Sequence, residues 1–190
     1  LAADARAHGD SEGTKIGMGW PERFDVIEWI KLIISWEPNA QIILHGVSMG
    51  AATVLMASGE ELPENVKAII ADCGYTSEWD EFKCEANALH IPWFPVLNAA
   101  SVMSRLRDGY DFKQASALEK VKQSRIPTLF IHGSDDELVP YSMLDKLYSA
   151  AVCKKECLTV NGAGHALSSS VEPELYWNTV ESFIEKYSEK

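Results

Sequence analysis

The residues with the clearest chemical potential form a Gly-x-Ser-x-Gly motif at positions 46–50. A short apolar run, 41–45, leads into this motif, and the segment 49–58 that follows it has the composition of a buried helix. A serine on a tight strand-to-helix turn carries its hydroxyl out of the sheet, and the two glycines leave room for neighbouring backbone. The helix N-terminus then points at the same place, so the backbone N–H of Met49 can stabilise an oxyanion. Ser48 is therefore predicted to be a nucleophile that attacks a carbonyl carbon.

A serine nucleophile near pH 7 needs a general base, and histidine is the usual one. His165 lies in a loop of small residues, 161–166, after the last predicted strand, where an imidazole can reach across the end of a sheet. The chain has four other histidines in less suitable settings: His8 in the opening loop, His45 and His132 on strands, and His90 in a proline-rich connection. His165 is therefore predicted to be the base, and the alternative is a solvated loop histidine.

An acid that orients the base is expected at another strand end, between Ser48 and His165 in chain order. Three acids follow a predicted strand directly, namely Asp135, Asp136 and Glu137, and Asp72 follows another strand. Adjacency does not separate these candidates. All of them could also be ordinary loop carboxylates.

The elements that must position these residues alternate between short apolar runs and amphipathic stretches. The predicted strands are 41–45, 66–71, 128–132 and 157–160, and the predicted helices are 21–36, 49–58, 78–89, 142–151 and 173–187. Short strands without polar alternation, separated by helices, indicate a mostly parallel sheet covered by helices on both faces. Ligands of such sheets bind beyond the carboxyl ends of the strands, where the motifs above lie. We predict a single α/β domain over residues 1–190.

Composition excludes several classes of partner. The formal net charge is −11 at pH 7, so the surface repels phosphate backbones and anionic lipid headgroups, and we expect neither nucleic acid nor a membrane surface as a partner. No apolar run approaches the roughly 20 residues that span a bilayer, and no secretory signal opens the sequence. The four cysteines lack metal-ligand spacing and are expected to be free thiols in a cytoplasmic protein, with no metal and no cofactor.

Together these motifs resemble the α/β-hydrolase superfamily, in particular bacterial serine hydrolases near the prolyl-oligopeptidase-like and acyltransferase-like branch. Residues 6–13 look like the loop after that family's fourth strand, 45–50 like its nucleophile elbow, 133–140 like its acid loop and 162–165 like its histidine loop. In that acid loop the aspartate three residues before the valine is catalytic. The resemblance therefore implies that Asp136 is the acid and that Asp135 is its neighbour.

The resemblance also exposes two departures. The family's first three strands have no counterpart before residue 6, so we expect an N-terminally truncated sheet with the 41–45 strand as an exposed edge, which invites pairing in a homodimer. Residues 85–114 interrupt the strand–helix rhythm where the family often has a cap. This small helical insertion is predicted to be a lid, with Trp93, Phe94 and Leu97 binding substrate; the alternative is a helical connection packed on its own domain.

The expected function is hydrolysis of a carboxylic ester through an acyl-enzyme, with Ser48, His165 and Asp136 as the triad and Met49 as an oxyanion donor. The substrate would be a small-molecule ester or another acyl compound. A peptidase or an acyltransferase of the same fold would use the same steps. From another class, the alternative is a catalytically weak fragment that acts as a binding or assembly module.

Overall fold

The computed structural model describes residues 1–188. Its centre is a four-stranded sheet in which every strand pair is parallel and the order is β1-β2-β3-β4. The strands are β1 (Ile42–Val47), β2 (Val66–Asp72), β3 (Thr128–Gly133) and β4 (Lys155–Val160). The central strands β2 and β3 are buried along almost their whole length, as the apolar runs in the sequence predicted, whereas β1 and β4 are only partly buried.

Eight helices connect and cover the strands of the described chain. They are α1 (Glu22–Trp36), α2 (Met49–Ala57), α3 (Glu78–Ala88), α4 (Trp93–Asp108), α5 (Ala117–Val121), α6 (Ser142–Ala150), α7 (Ser168–Val171) and α8 (Pro173–Tyr187). The core divides into two apolar clusters. One joins β1 and β2 to α2 and α6, and the other joins β2 and β3 to α8. The predicted α/β architecture with helices on both faces is therefore confirmed.

The strand ends carry the loops that matter for chemistry. β1 runs two residues further than the apolar pattern predicted, so Gly46 and Val47 still belong to the strand and Ser48 follows at once. Gly46 pairs with Ala71 of β2, and Gly133 of β3 pairs with Val160 of β4. In a parallel sheet this register brings the ends of all four strands to one edge.

The segment predicted to be a lid consists of the end of α3, the helix α4 and the loop that leads to α5. The loop is fastened to α4 by two serines: Ser104 Oγ donates to the Tyr110 carbonyl, and Ser101 Oγ accepts from the Phe112 N–H. Within residues 1–188, no helix combines the length and the apolar character that crossing a membrane requires.

The opening segment packs along α1 and α4 without forming a strand in the described residues. Arg6 makes two hydrogen bonds to Asp25, at 2.6 and 2.5 Å, and Lys15 pairs with Asp108 at the end of α4. β1 is consequently an edge strand of the described sheet, as the sequence predicted.

Candidate active site

Ser48 sits at the sharp turn between β1 and α2. Its backbone angles, φ 55° and ψ −117°, lie in a region that ordinary residues avoid, and such strain concentrates at functional sites. A Cβ on Gly46 would come within 2.3 Å of the Gly50 backbone, so position 46 requires glycine. A Cβ on Gly50 would meet nothing within 4 Å. The expectation that both glycines relieve crowding is therefore wrong for Gly50, because the close approach is made only from the strand side.

The loops after β3 and β4 are tied to each other. A Cβ on Gly133 would lie 2.1 Å from the Ala163 carbonyl oxygen, and the same oxygen accepts a hydrogen bond from the Asp135 N–H at 3.0 Å. Ser134 Oγ accepts from the Gly162 N–H at 2.8 Å. These contacts fix the loop that carries Asp136 against the loop that carries His165.

The structure brings the serine, the histidine and one aspartate into a chain of hydrogen bonds. Ser48 Oγ lies 2.7 Å from His165 Nε2, and His165 Nδ1 lies 2.8 Å from Asp136 Oδ2. The Asp136 side chain is completely buried, whereas that of His165 is 21% exposed. The imidazole therefore bridges a buried carboxylate and a hydroxyl that solutes can approach.

Asp136 is held as an anion. Its Oδ1 accepts from the N–H groups of Leu138 and Val139, at 3.0 and 2.9 Å. Burial would raise the pKa of this carboxyl, but hydrogen bonds from His132, His165 and the Val139 backbone outweigh it and leave the pKa below its ordinary value. A carboxylate that stays ionised can orient an imidazole and stabilise its protonated form.

The other acidic candidates have different partners. Asp135 is exposed and accepts from Ser134 Oγ at 2.6 Å. Asp72 is buried, and its Oδ1 accepts from Ser168 Oγ at 3.3 Å. Burial raises the pKa of Asp72 against the opposing hydrogen bonds from Tyr176 and Ser168. Within the described part of the chain, the hydrogen bond to His165 Nδ1 comes from Asp136, whereas Asp135 and Asp72 each bond a serine.

The remaining histidines lie away from Ser48. His8 Nδ1 is 2.9 Å from the Arg6 carbonyl oxygen, His45 Nε2 is 3.0 Å from the Tyr176 hydroxyl beside the sheet, and His90 is exposed between α3 and α4. His132 is different, since its Nε2 lies 3.3 Å from Asp136 Oδ2 and donates to the Val139 carbonyl at 2.9 Å. Sequence reasoning did not assign this supporting contact, which only the folded loop creates.

Cys73 is a second neighbour that sequence reasoning missed. Ligand-type atoms of Cys73, Asp136 and His165 lie within 4.8 Å of one another. Burial raises the pKa of the Cys73 thiol to about 12, which disfavours the thiolate that a metal would need. Asp136 and His165 are moreover bonded to each other, so this cluster fits the bonds already described better than it fits a cation. The feature of the sequence that could have indicated Cys73 is its position directly after the end of β2.

The predicted oxyanion donor and substrate-binding residues have the following places. Met49 is the first residue of α2, so its N–H is among those that no helical carbonyl satisfies. Leu97 is buried under α4, Phe94 is mostly exposed, and Trp93 packs edge-on against Trp79 with ring centroids 6.5 Å apart. A role in substrate binding for Trp93, Phe94 and Leu97 stays a prediction.

Known proteins are similar to this chain in sequence or in fold. The uncharacterized protein YqkD of Bacillus subtilis is 29% identical over 191 residues, which cover 100% of this chain and 63% of YqkD. Lysophosphatidylserine lipase ABHD12 of Macaca fascicularis is 30% identical over 149 residues, or 78% of this chain and 36% of the lipase. The Pyrococcus furiosus esterase Pf2001 has a TM-score of 0.75 at 23% identity, covering 97% of this chain and 69% of the esterase. The chain thus spans less than two thirds of the two sequence relatives.

The parallel sheet, the strained serine turn and these likenesses define a member of the α/β-hydrolase superfamily. Within it, residues 22–190 match the model of the prolyl oligopeptidase family. The chain belongs to that family.

Proposed function

We propose that this protein is a serine hydrolase that cleaves a carboxylic ester through an acyl-enzyme. The observation that carries the proposal is the unbroken chain from Ser48 Oγ through the His165 imidazole, at 2.7 Å, to Asp136, at 2.8 Å. Both distances are within hydrogen-bond range, which is the geometric requirement for a nucleophile, its base and the orienting acid.

In the proposed mechanism, Ser48 Oγ attacks the ester carbonyl while His165 Nε2 takes the hydroxyl proton. The negative oxygen of the tetrahedral intermediate accepts from the Met49 N–H at the start of α2. His165 then gives its proton to the leaving alcohol, and the acyl group remains on Ser48. A water molecule, deprotonated by the same imidazole, releases the acid and restores Ser48. Asp136 keeps the imidazole oriented and stabilises its charged form throughout.

A peptidase activity is the second candidate, because the matched family is described as the prolyl oligopeptidase family. Esters and amides pass through the same acyl-enzyme, so the triad supports both. The two are separated by rates on p-nitrophenyl esters of short and medium acyl chains and on an X-Pro anilide. We expect turnover of the esters and none of the anilide.

The proposal is tested with a fluorophosphonate probe and intact mass spectrometry. We expect one adduct on the wild type and on Ser170→Ala, whose serine is exposed in α7, and none on Ser48→Ala. Ester turnover should fall at least ~10³-fold in Ser48→Ala. A folded wild type that takes no adduct and turns over no ester would overturn the proposal and favour a binding module.

A further inference from the structure

Helix α4 has two serines on its buried side and most of its large apolar side chains on its exposed side. The buried residues of α4 are Leu97, Ser101 and Ser104, and the two serine hydroxyls form hydrogen bonds with the backbone of the loop at 110–112. A surface helix of a globular protein normally does the reverse, with an apolar stripe on the core and polar residues in water.

Large apolar side chains are exposed on α4 and on the segment just before it, and this set is called here the α4 face. Its seven large apolar side chains are each at least 45% exposed, and Leu106 reaches 78%: they are Leu89, Ile91, Phe94, Val96, Val102, Met103 and Leu106. Val96, Met103 and Leu106 recur at helical spacing, so they lie on one stripe. Clustering of this kind marks an interaction surface, whereas apolar residues scattered singly do not.

Two arginines flank the centre of the α4 face, and the acidic residue of α4, Asp108, is paired with Arg107 and Lys15. Arg105 and Arg107 are exposed and adjoin Leu106 in sequence, so they project about 100° to either side of it. No acidic residue occurs between Glu85 and Asp108, in a chain that carries 28 acids. An apolar stripe with an arginine on each flank is the pattern of a helix that lies in a membrane interface, since arginine keeps its charged head in water above the apolar layer.

We propose that the α4 face binds a zwitterionic phospholipid surface, with the apolar side chains among the acyl chains and Arg105 and Arg107 on the headgroup phosphates. Guanidinium groups bind phosphate oxygens through paired, charge-assisted hydrogen bonds. A zwitterionic surface fits better than an anionic one, because the net charge of −11 repels a surface of net negative charge.

A second copy of the chain fits this face less well. In a two-fold contact the same patch packs against itself. Arg105 and Arg107 would then come close to their own counterparts, and the carboxylate of α4 that could pair with them, Asp108, is already engaged by Arg107 and Lys15 of its own chain. The lipid assignment rests on the α4 face alone and does not depend on the chemistry of Ser48.

The test is co-sedimentation of the full chain with phosphatidylcholine vesicles. We expect the wild type to bind and Leu106→Glu to bind at least tenfold more weakly, because a charge then enters the centre of the apolar stripe. Arg105→Gln and Arg107→Gln should each weaken binding by about fivefold. Replacing a third of the lipid by phosphatidylglycerol at low salt should weaken binding by the wild type.

The matched control is Leu175→Glu, which makes the same change at an exposed leucine on α8 and should bind like the wild type. Circular dichroism checks that each variant is folded. The proposal is overturned if the wild type stays in the supernatant, or if both leucine variants lose binding equally. It is also overturned if the wild type dimerises in sedimentation velocity and Leu106→Glu makes it monomeric, because the α4 face is then a contact between copies.

Discussion

At the scale of single residues, His132 determines how firmly the proposed acid is held. Its ring is buried, and Nε2 faces both the Val139 carbonyl at 2.9 Å and Asp136 Oδ2 at 3.3 Å. His132 thus contacts the same carboxylate oxygen, Asp136 Oδ2, that is hydrogen-bonded to His165 Nδ1. His132 therefore acts as a positioning residue, since it touches neither Ser48 nor the reacting carbonyl.

We predict that His132→Asn lowers kcat about tenfold or more and leaves KM within about twofold, as expected for a loss felt only in the transition state. Because the bond from His132 lowers the pKa of Asp136, its loss raises that pKa, which an NMR titration of the Asp136 carboxyl carbon measures. The control is His90→Asn, at an exposed position. A lower kcat with an unchanged pKa of Asp136 would mean that His132 serves packing only.

A residue of the candidate site could be predicted from the sequence only where its immediate sequence neighbours indicate its role. Ser48 and His165 stand in glycine-rich loops directly after strands, and the chain order of such loops limits their roles. Three consecutive acids carry no such signal, since the loop backbone alone decides which carboxylate turns inward; only the family resemblance pointed to Asp136. His132 precedes Asp136 by only four residues, but the fold of the intervening loop decides whether the two side chains meet. Cys73 reaches the site from the end of the neighbouring strand β2, and such a contact leaves no local pattern.

At the scale of elements, α3 carries two buried carboxyl groups, on Glu78 and Glu81. One oxygen of each has no hydrogen-bond partner among residues 1–188. Burial raises the pKa of each to about 8, and Glu22 and Asp108 add to the effect at Glu78. Since the ordinary value is 4.5, these two carboxyls hold more protons in the folded protein than in the unfolded chain between pH 4.5 and 8. Their contribution to the free energy of unfolding therefore falls as the pH rises through this window.

We predict that Glu78→Gln makes this fall smaller by ~1 kcal/mol or more between pH 5 and pH 8, because an amide needs no desolvated charge. Urea unfolding at both pH values measures the difference. Glu64→Gln, at an exposed position, should leave the pH dependence unchanged. Parallel curves for the wild type and Glu78→Gln would show that Glu78 does not titrate in this range.

The helices and strands also differ in how well the spacing of apolar residues predicts them. The strands and most of the long helices can be predicted from apolar periodicity, because the apolar positions are those that the element buries. Helix α4 agrees with the helical insertion predicted over 85–114, and its apolar residues Val102, Met103 and Leu106 have helical spacing, yet these side chains face outward. The side that packs inward contains Ser101 and Ser104, whose hydrogen bonds to backbone 110–112 give no hydrophobic signature.

At the scale of the whole molecule, the described sheet has two edges of different character. β4 includes Lys155 and Glu156, and charges of this kind discourage pairing with another sheet. β1 carries no Asp, Glu, Lys or Arg, and beside it runs a groove of about 960 Å³ that Trp29, Leu32 and His45 help to line. Ile42 and Ser48 donate their N–H groups toward β2, so the alternating residues, Ile43 among them, direct theirs to the open side.

We predict that this chain self-associates through β1 at high concentration. Ile43→Pro removes one outward N–H without removing a bond to β2, and proline is tolerated on an edge strand for that reason. The dissociation constant from sedimentation velocity should rise at least about tenfold, and His45→Lys should act in the same direction by placing a charge at the edge. Leu106→Glu, on the α4 face, should associate like the wild type. Equal association by the wild type and both β1 variants, with folding verified by circular dichroism, would exclude β1 as the contact.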